Sequence, residues 1–491
     1  MKNKKIIVIG GGFSSLAAAC YLAHAGHEVV LLEKNEHMGG RARQWKHEGF
    51  VFDMGPTFYW MPDLMEAFFQ DFGKSASDYY ELLQLDPGYE IVFGKGDRLA
   101  VSADLSHVYE QYERIEPGSA AFLKRFLKKA GFNYRVAIDK VIYKPGRSVL
   151  ELIHPETATR VFQFVESIQS YVRRNIKDAR LRQALEFPVL FLGAKPSQTP
   201  AFYCFMNYAD MVLGTWHIKG GMYQLIQAQM DLAVSLGVQL HSGQPVQKIV
   251  VDHNRVRGVE TRDGRFWQAD AVVSGADYHH TEQLLPERTR NYSESYWNSR
   301  VLAPSALLFY VGFDCKLPEV KHHTLFFDAS FEAHAKCIYD RAEWPERPLF
   351  YASFPSVTDE GMAPAGKEAG IFLIPLAPGL NDSDEIRERY FQQILSRMEA
   401  VLGYEIRSHI LFKRSYCVRD FMSDYHAYKG NAYGLSNILR QTAVFKPGIQ
   451  NRSLPNLFYT GQLTVPGPGV PTALISGKIA ATELLKQLNK S

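Results

Sequence analysis

The sequence predicts an α/β protein: a Rossmann-type nucleotide-binding domain interleaved with an α+β substrate domain that carries a mixed sheet and a helical subregion. Three observations carry this expectation. The apolar run IIVI at residues 6–9 leads straight into three consecutive glycines and a helix rich in small residues. A second short apolar run, HEVVLLEK, ends on Glu33 about twenty residues past that loop. Near the other end of the chain, LPNLFYTG followed by a Pro/Gly-rich turn and a small-residue helix repeats the strand, loop and helix order.

Four consecutive Ile/Val residues between a lysine and a glycine suit a parallel strand covered on both faces. Gly10, Gly12 and Ser15 occupy the marked positions of G-x-G-x-x-G, and Phe13 and Ser14 open the helix that follows. The first glycine makes the tight turn, and the second lets backbone approach a pyrophosphate at the helix N-terminus. The third place needs a small residue for close helix–strand packing, and Ser15 is expected to fit, its hydroxyl bonding to a carbonyl one turn earlier. The helix is expected over 14–25, stopped by Gly26. Glu33 at the tip of the second strand accepts hydrogen bonds from ribose hydroxyls, which points to a nucleotide without a 2′-phosphate.

The segment EKNEHMGGRARQWKHEGFVFDMGPTFYW continues from Glu33 into Gly39, Gly40 and Arg41 and then into Asp53, Gly55, Pro56 and Thr57. It resembles the extended dinucleotide motif of the amine oxidase, protoporphyrinogen oxidase and phytoene desaturase superfamily. That resemblance implies FAD, with the paired glycines and Arg41 against the pyrophosphate and the D-x-G-P turn, with Thr57, close to the flavin. Residues 456–477, NLFYTGQLTVPGPGVPTALISG, resemble the C-terminal signature of bacterial phytoene desaturases, through Asn456, Gly461, Thr464, Pro466, Gly467, Gly469 and Val470, with Pro471 following. Gln462, Leu463 and Val465 depart from the usual residues there. The resemblance covers nearly the whole chain and implies that the backbone of Val246, in QPVQKIVVD, contacts the adenine side. One complete glycine fingerprint, with no second nicotinamide domain, implies FAD and no NAD.

The 491 residues suffice for two domains with sizeable cores, and 46% hydrophobic with 13% aromatic content is that of an ordinary folding chain. Lys and Arg total 55 against 52 acidic residues, a net +3 that gives no reason to expect nucleic acid. Five cysteines without a C-x-x-C pair suit a reducing compartment. No signal peptide and no bilayer-spanning run are expected, so the chain is read as cytoplasmic.

Along the chain, residues 1–100 are expected to begin the nucleotide domain, 101–190 to form a helical subdomain, 191–284 to return to the nucleotide domain, 285–425 to form the substrate domain and 426–491 to close the nucleotide domain. A hairpin is expected on DHNR (252–255), aromatic strands at SALLFYVGFD, HTLFFD, PLFYASFP and AGIFLIPL, and a long helix from about 384 to 402.

The family resemblance implies a carotenoid desaturase, phytoene desaturase first, in which hydride passes to flavin N5 and a proton is lost from the neighbouring carbon. A hydroxycarotenoid 3,4-desaturase, a carotenoid isomerase, a flavin amine oxidase and a non-catalytic carotenoid-binding protein remain open. A long hydrocarbon offers no polar group to grip, so an apolar tunnel must position it, with the stretch 187–216 and the aromatic strands as walls. Such a substrate implies peripheral docking on the inner face of the cell membrane, through the helical region 121–190. With no haem or iron–sulfur motif, the electron acceptor is expected to be external, oxygen or a quinone. The histidine doublets 279/280 and 322/323 are read as strand neighbours facing opposite ways, so no metal is expected. Asp210, His217, Asp420 and Tyr425 are candidates to take the proton, and none is chosen as catalytic.

Overall fold

The computed structural model describes residues 3–148, 151 and 162–490. The strand Lys5–Ile9 is the middle of a five-stranded sheet, in the order Leu457–Tyr459, Ala271–Ser274, Lys5–Ile9, Glu28–Leu32 and Gln239–His241, with every pair parallel. Side chains alternate between two cores, as a strand of period two requires. Ile6, Val8, Val29 and Leu31 pack under helices, whereas Ile7, Ile9, Val30 and Leu32 pack on a small antiparallel sheet of Val246–Asp252, Arg255–Thr261 and Phe266–Gln268. The first hairpin of that small sheet turns on His253 and Asn254, both with positive φ (44° and 57°), the geometry that matches strand twist in a two-residue turn.

The first helix, Phe13–His24, is crossed by the closing helix, Val470–Leu488, and packs on the helix Tyr223–Ser235. The crossing is close: a Cβ on Gly477 would lie 2.4 Å from the Ser14 carbonyl oxygen. Ser15 is fully buried, and its Oγ reaches back to the Ile9 carbonyl at 3.5 Å, at the strand end and not within the helix as expected. Its extra atom is accommodated across the sheet, where a Cβ on Gly275 would stand 2.1 Å from Ser15 Oγ. The third glycine of the fingerprint has in effect moved to the neighbouring strand.

The second layer is a seven-stranded mixed sheet, in the order Ile410–Tyr416, Ser305–Phe313, Glu368–Leu376, Phe350–Ser353, His323–Phe326, Tyr89–Gly94 and Asp97–Val101. Thr324 pairs in parallel with Glu90, so the hairpin 89–101 belongs to this sheet and not to the nucleotide domain, which the sequence reading carried to residue 100. One face of the sheet, through Leu307, Phe309, Phe326, Phe350 and Phe372, is covered by the expected long helix, Asp384–Leu402. The other face meets the helical region. Ser119–Val136 buries Phe122, Leu123, Phe126, Leu127 and Ala130 at helical spacing and exposes Lys124, Arg125, Lys128 and Arg135. Residues 187–211 pack into the same core through Phe187, Leu192, Phe202, Phe205 and Ala209, so the helical region extends past the expected boundary at 190. Of that region, 149–150 and 152–161 lie outside the described residues.

The Ser15–Gly275 contact gives a direct test. Gly275→Ala should destabilise the fold by roughly 1–3 kcal/mol through overpacking. Ser15→Gly alone should leave flavin content nearly unchanged, and Ser15→Gly with Gly275→Ala should recover most of the loss. Thermal melts of the variants measure the loss and its recovery, and flavin absorbance of purified Ser15→Gly measures its cofactor content.

Candidate cofactor and substrate site

A cavity of about 810 Å³ runs from the carboxyl ends of the parallel strands to the inner face of the seven-stranded sheet. Open α/β sheets bind their ligands at that edge. Every residue assigned to the cofactor from sequence lines this cavity except Ser15, which packs the helix onto the sheet behind it, and Gly467.

At the nucleotide end Glu33 is buried, and both its oxygens are engaged: Oε2 accepts from the Gly11 N–H at 2.6 Å and Oε1 from the Asn35 N–H at 2.8 Å. Burial raises its pKa, and those two N–H donors act in the opposite direction. Glu33 therefore pins the glycine loop as well as facing the cavity, a role the spacing did not reveal. Gly11, the unmarked middle glycine, is the one with no room: a Cβ there would meet Met38 Sδ at 2.4 Å. Gly12 has open space beside it, the clearance a pyrophosphate needs.

Arg41 is held by its Nη2 donating to the Asn431 carbonyl at 3.3 Å, and Tyr425 lies 5.2 Å from its guanidinium carbon. Its Nε is buried with no partner, as is Gln244 Oε1 near Val246. A Cβ on Gly55 would sit 2.1 Å from the Arg41 carbonyl oxygen, so the D-x-G-P turn lies directly on the G-G-R segment. Asp53 caps the helix Tyr223–Ser235, accepting from the Met222 N–H at 2.6 Å and the Tyr223 N–H at 3.2 Å. On the far side, the N-termini of the first and closing helices both face the cavity, through Gly12 and Phe13 and through Gly469 and Val470. The clearance at Gly12, the orphaned Arg41 Nε and the two helix N-termini fit an elongated anionic dinucleotide, and FAD is the cofactor these residues would hold.

Past the D-x-G-P turn the wall becomes apolar and aromatic, with Phe58, Phe187, Phe191, Leu325 and Leu373. Two π-helical turns, Ala137–Val141 and Cys337–Arg341, contribute Ile138 and Ile338. Leu439 and Phe445 are each 55% exposed beside the lining residues Thr442 to Val444. Two buried polar atoms near Gly467, Lys446 Nζ and Asn437 Oδ1, have no partner among the described residues, and burial pulls the Lys446 ammonium down to about 7.

Of the four proton-accepting candidates only Tyr425 reaches the cavity, at its nucleotide end. Asp210 is buried in the helical core, accepting from the Tyr89 hydroxyl at 2.6 Å, with burial pushing its carboxyl up to about 8. His217 pairs with Asp359 at 3.0 Å, and Asp420 pairs with Arg387 at 2.8 Å. His279 and His280 stand on a helix, Tyr278–Gln283, and not on a strand as expected; His279 contacts Glu294 and His280 stacks on His426. Among the described residues one trio has metal-ligand spacing, Asp314, Cys315 and His409, and none of the three lines the cavity.

Glu33→Ala should weaken FAD by about 1.5–3 kcal/mol, since it removes a charged acceptor and frees the Gly11 N–H from its partner. Fluorescence titration of FAD into the apoprotein measures it, and the same variant should show faster proteolysis in the 10–12 loop.

The chain matches the family of flavin-containing amine oxidoreductases over residues 13–485. It is 37% identical over 494 residues to a carotenoid 3,4-desaturase of Haloarcula japonica, covering 99% of each chain. It is 32% identical over 495 residues to a zeta-carotene-forming phytoene desaturase of Myxococcus xanthus, covering 99% of this chain and 94% of the relative. Among solved structures, an oxidoreductase from Methanosarcina mazei superposes with a TM-score of 0.64 at 17% identity, covering 96% of this chain and 99% of that one. Putrescine oxidase with bound putrescine superposes with a TM-score of 0.60 at 14% identity, covering 99% of each, and both share the fold. With a dinucleotide cradle, an apolar extension and full-length relatives of this kind, the chain belongs to the flavin-containing amine oxidoreductase family, alongside the carotenoid desaturases.

Proposed function

We propose that this protein is an FAD-dependent carotenoid desaturase that takes phytoene and extends its conjugation towards lycopene-type products. The observation that carries this reading is the single cavity joining a dinucleotide cradle to an aromatic, hydrocarbon-lined wall. A polar amine would need a carboxylate to meet its ammonium at the reacting end, and the side chains beside the D-x-G-P turn are the aromatic and aliphatic Phe58, Phe187, Leu325 and Leu373 and the neutral hydroxyls of Thr57 and Tyr351.

FAD, when bound, supplies a ring that accepts a hydride from an allylic carbon. The chain does the rest. The glycine loop and Arg41 would hold the pyrophosphate, the D-x-G-P turn would stand beside the ring, and the helix N-terminus at Val470 would favour electron density there. The apolar walls align the polyene by shape and exclude water, which is the main contribution available for a substrate without polar groups. No haem or iron–sulfur motif occurs in the sequence, so the electrons leave to a diffusible quinone or to dioxygen.

A later, oxygen-bearing carotenoid is the second reading. It is supported by the 37% likeness to a carotenoid 3,4-desaturase and by the unpartnered Lys446 Nζ and Asn437 Oδ1, which would receive an oxygen function. FAD-loaded protein given phytoene in liposomes, with a quinone or air and no NAD(P), should yield products absorbing at longer wavelength. Conversion of only hydroxylated carotenoids would replace the first reading with the second, and turnover of a simple amine with peroxide release would overturn both.

Docking at a bilayer belongs to the same reading. Among the described residues no helix is long and apolar enough to cross a membrane. Exposed Leu439 and Phe445 beside the cavity, and the basic stripe Lys124, Arg125 and Lys128, suit a peripheral contact with an anionic surface. The exposed apolar pair adds 439–445 to the expected region 121–190. Replacing Leu439 and Phe445 by Asp should reduce flotation with anionic liposomes several-fold while leaving FAD content unchanged.

A further inference from the structure

We propose that Tyr351 and His323 form the relay that takes up the proton released in desaturation. The inference rests on the desaturase reading and adds the residues that reading lacks. The two side chains come from neighbouring strands of the seven-stranded sheet. In the register His323 is opposite Ser353 and Leu325 is opposite Tyr351, so His323 and Tyr351 are diagonal neighbours on one face. That face also carries Leu325 and Leu373 and forms the cavity wall.

The Tyr351 hydroxyl lies 2.7 Å from His323 Nδ1 and 2.8 Å from Thr57 Oγ1, next to the D-x-G-P turn. Tyr351 and Thr57 line the cavity, whereas His323 is fully buried behind them. Phe58 stacks on the His323 ring at 4.1 Å and 19°, a face that stabilises an imidazolium. Among the described residues His323 Nε2 has no partner. Beyond it the rings of His322 and His217 follow at 4.4 and 4.7 Å, and His217 bonds Asp359, but no hydrogen bond joins His323 to them among the described residues. The relay therefore ends at His323.

One allylic C–H is lost as hydride to the bound flavin; the electron pair of the adjacent C–H becomes the new C=C bond. The proton of that second C–H goes to Tyr351 Oη while the phenolic proton moves to His323 Nδ1. A quinone or dioxygen later takes this proton together with the hydride's own proton and two electrons, leaving as quinol or hydrogen peroxide. Burial makes His323 a weak base, which suffices, because the C–H beside the cationic carbon left by hydride loss is a very strong acid. The relay requires the neutral imidazole to carry its proton on Nε2, leaving Nδ1 as the acceptor.

Two measurements test it. In protein labelled with nitrogen isotope at histidine, the His323 signal, identified by its loss in His323→Asn, should report the Nε2–H tautomer in the apoprotein; the Nδ1–H tautomer overturns the relay. In anaerobic single turnovers with phytoene liposomes, Tyr351→Phe should slow flavin bleaching roughly 100-fold, with FAD content and carotenoid binding unchanged. The wild-type solvent isotope effect should vanish in that variant. His323→Asn, which changes a side chain behind the cavity wall and keeps the Tyr351 hydroxyl, should slow bleaching at least tenfold and supplies the rate test if Tyr351→Phe loses flavin. Wild-type bleaching that survives both substitutions overturns the relay alone. A wild-type protein bleached by no carotenoid overturns the desaturase reading and the relay with it.

Discussion

The structure depends on one close approach: the first helix, the end of the strand Ala271–Ser274 and the closing helix converge on backbone contact. Ser14, Ser15, Gly275 and Gly477 make that possible, because any larger side chain at these points would separate the elements by the thickness of a methyl group or more. Convergence brings two helix N-termini to one cavity. Each contributes unpaired N–H groups and the positive end of a dipole, and the helices can share a ligand only while they are held this near. The phosphate cradle is thus a consequence of packing in a core several residues away from it.

What was legible in the sequence was local. The parallel strand, the helix ended by Gly26, the two-residue hairpin at His253 and Asn254, and the helix Asp384–Leu402 each announce themselves within a dozen residues, through period, turn chemistry or caps. What was hidden depends on partners far along the chain. The hairpin 89–101 reads as the tail of the nucleotide domain until its pairing with 324–326 is seen. Ser15 looks like a defect in the fingerprint until Gly275 is placed opposite it. The Tyr351–His323 contact arises from strand register across 28 residues. Asp210, His217, Asp420 and Tyr425 share only a residue type suited to proton transfer, and the fold puts the first three off the cavity wall.

The cavity joins two environments with opposite demands. Its nucleotide end carries buried charge, Glu33 and Arg41, and each is tolerable only because backbone donors or acceptors meet it. The other end is aromatic and aliphatic, and a polar group there without a partner would carry a desolvation cost of about 1–3 kcal/mol. The D-x-G-P turn is the seam. Gly55 sits on the Arg41 backbone, while Thr57, two residues on, bonds Tyr351 on the opposite wall, so a displacement of the cofactor cradle is transmitted directly to the hydrocarbon side.

That division also constrains how a substrate arrives. A polyene of about forty carbons gains roughly 0.8 kcal/mol for each methylene-sized group removed from water, tens of kcal/mol in all, so its free aqueous concentration is negligible. Transfer from lipid into an apolar cavity has almost no net hydrophobic driving force, since one hydrocarbon environment replaces another. Binding must then come from shape, from aromatic contact with rings such as Phe58 and Phe187, and from the absence of competing water. On the docking reading such an enzyme does not need high affinity for its substrate; it needs a cavity mouth held against the membrane and a reacting bond stopped at the right depth. The exposed Leu439 and Phe445 address the first need on the docking reading, and the seam at Thr57 and Tyr351 addresses the second. The same residues that set the depth of the bond would then stand beside the carbon that loses its proton.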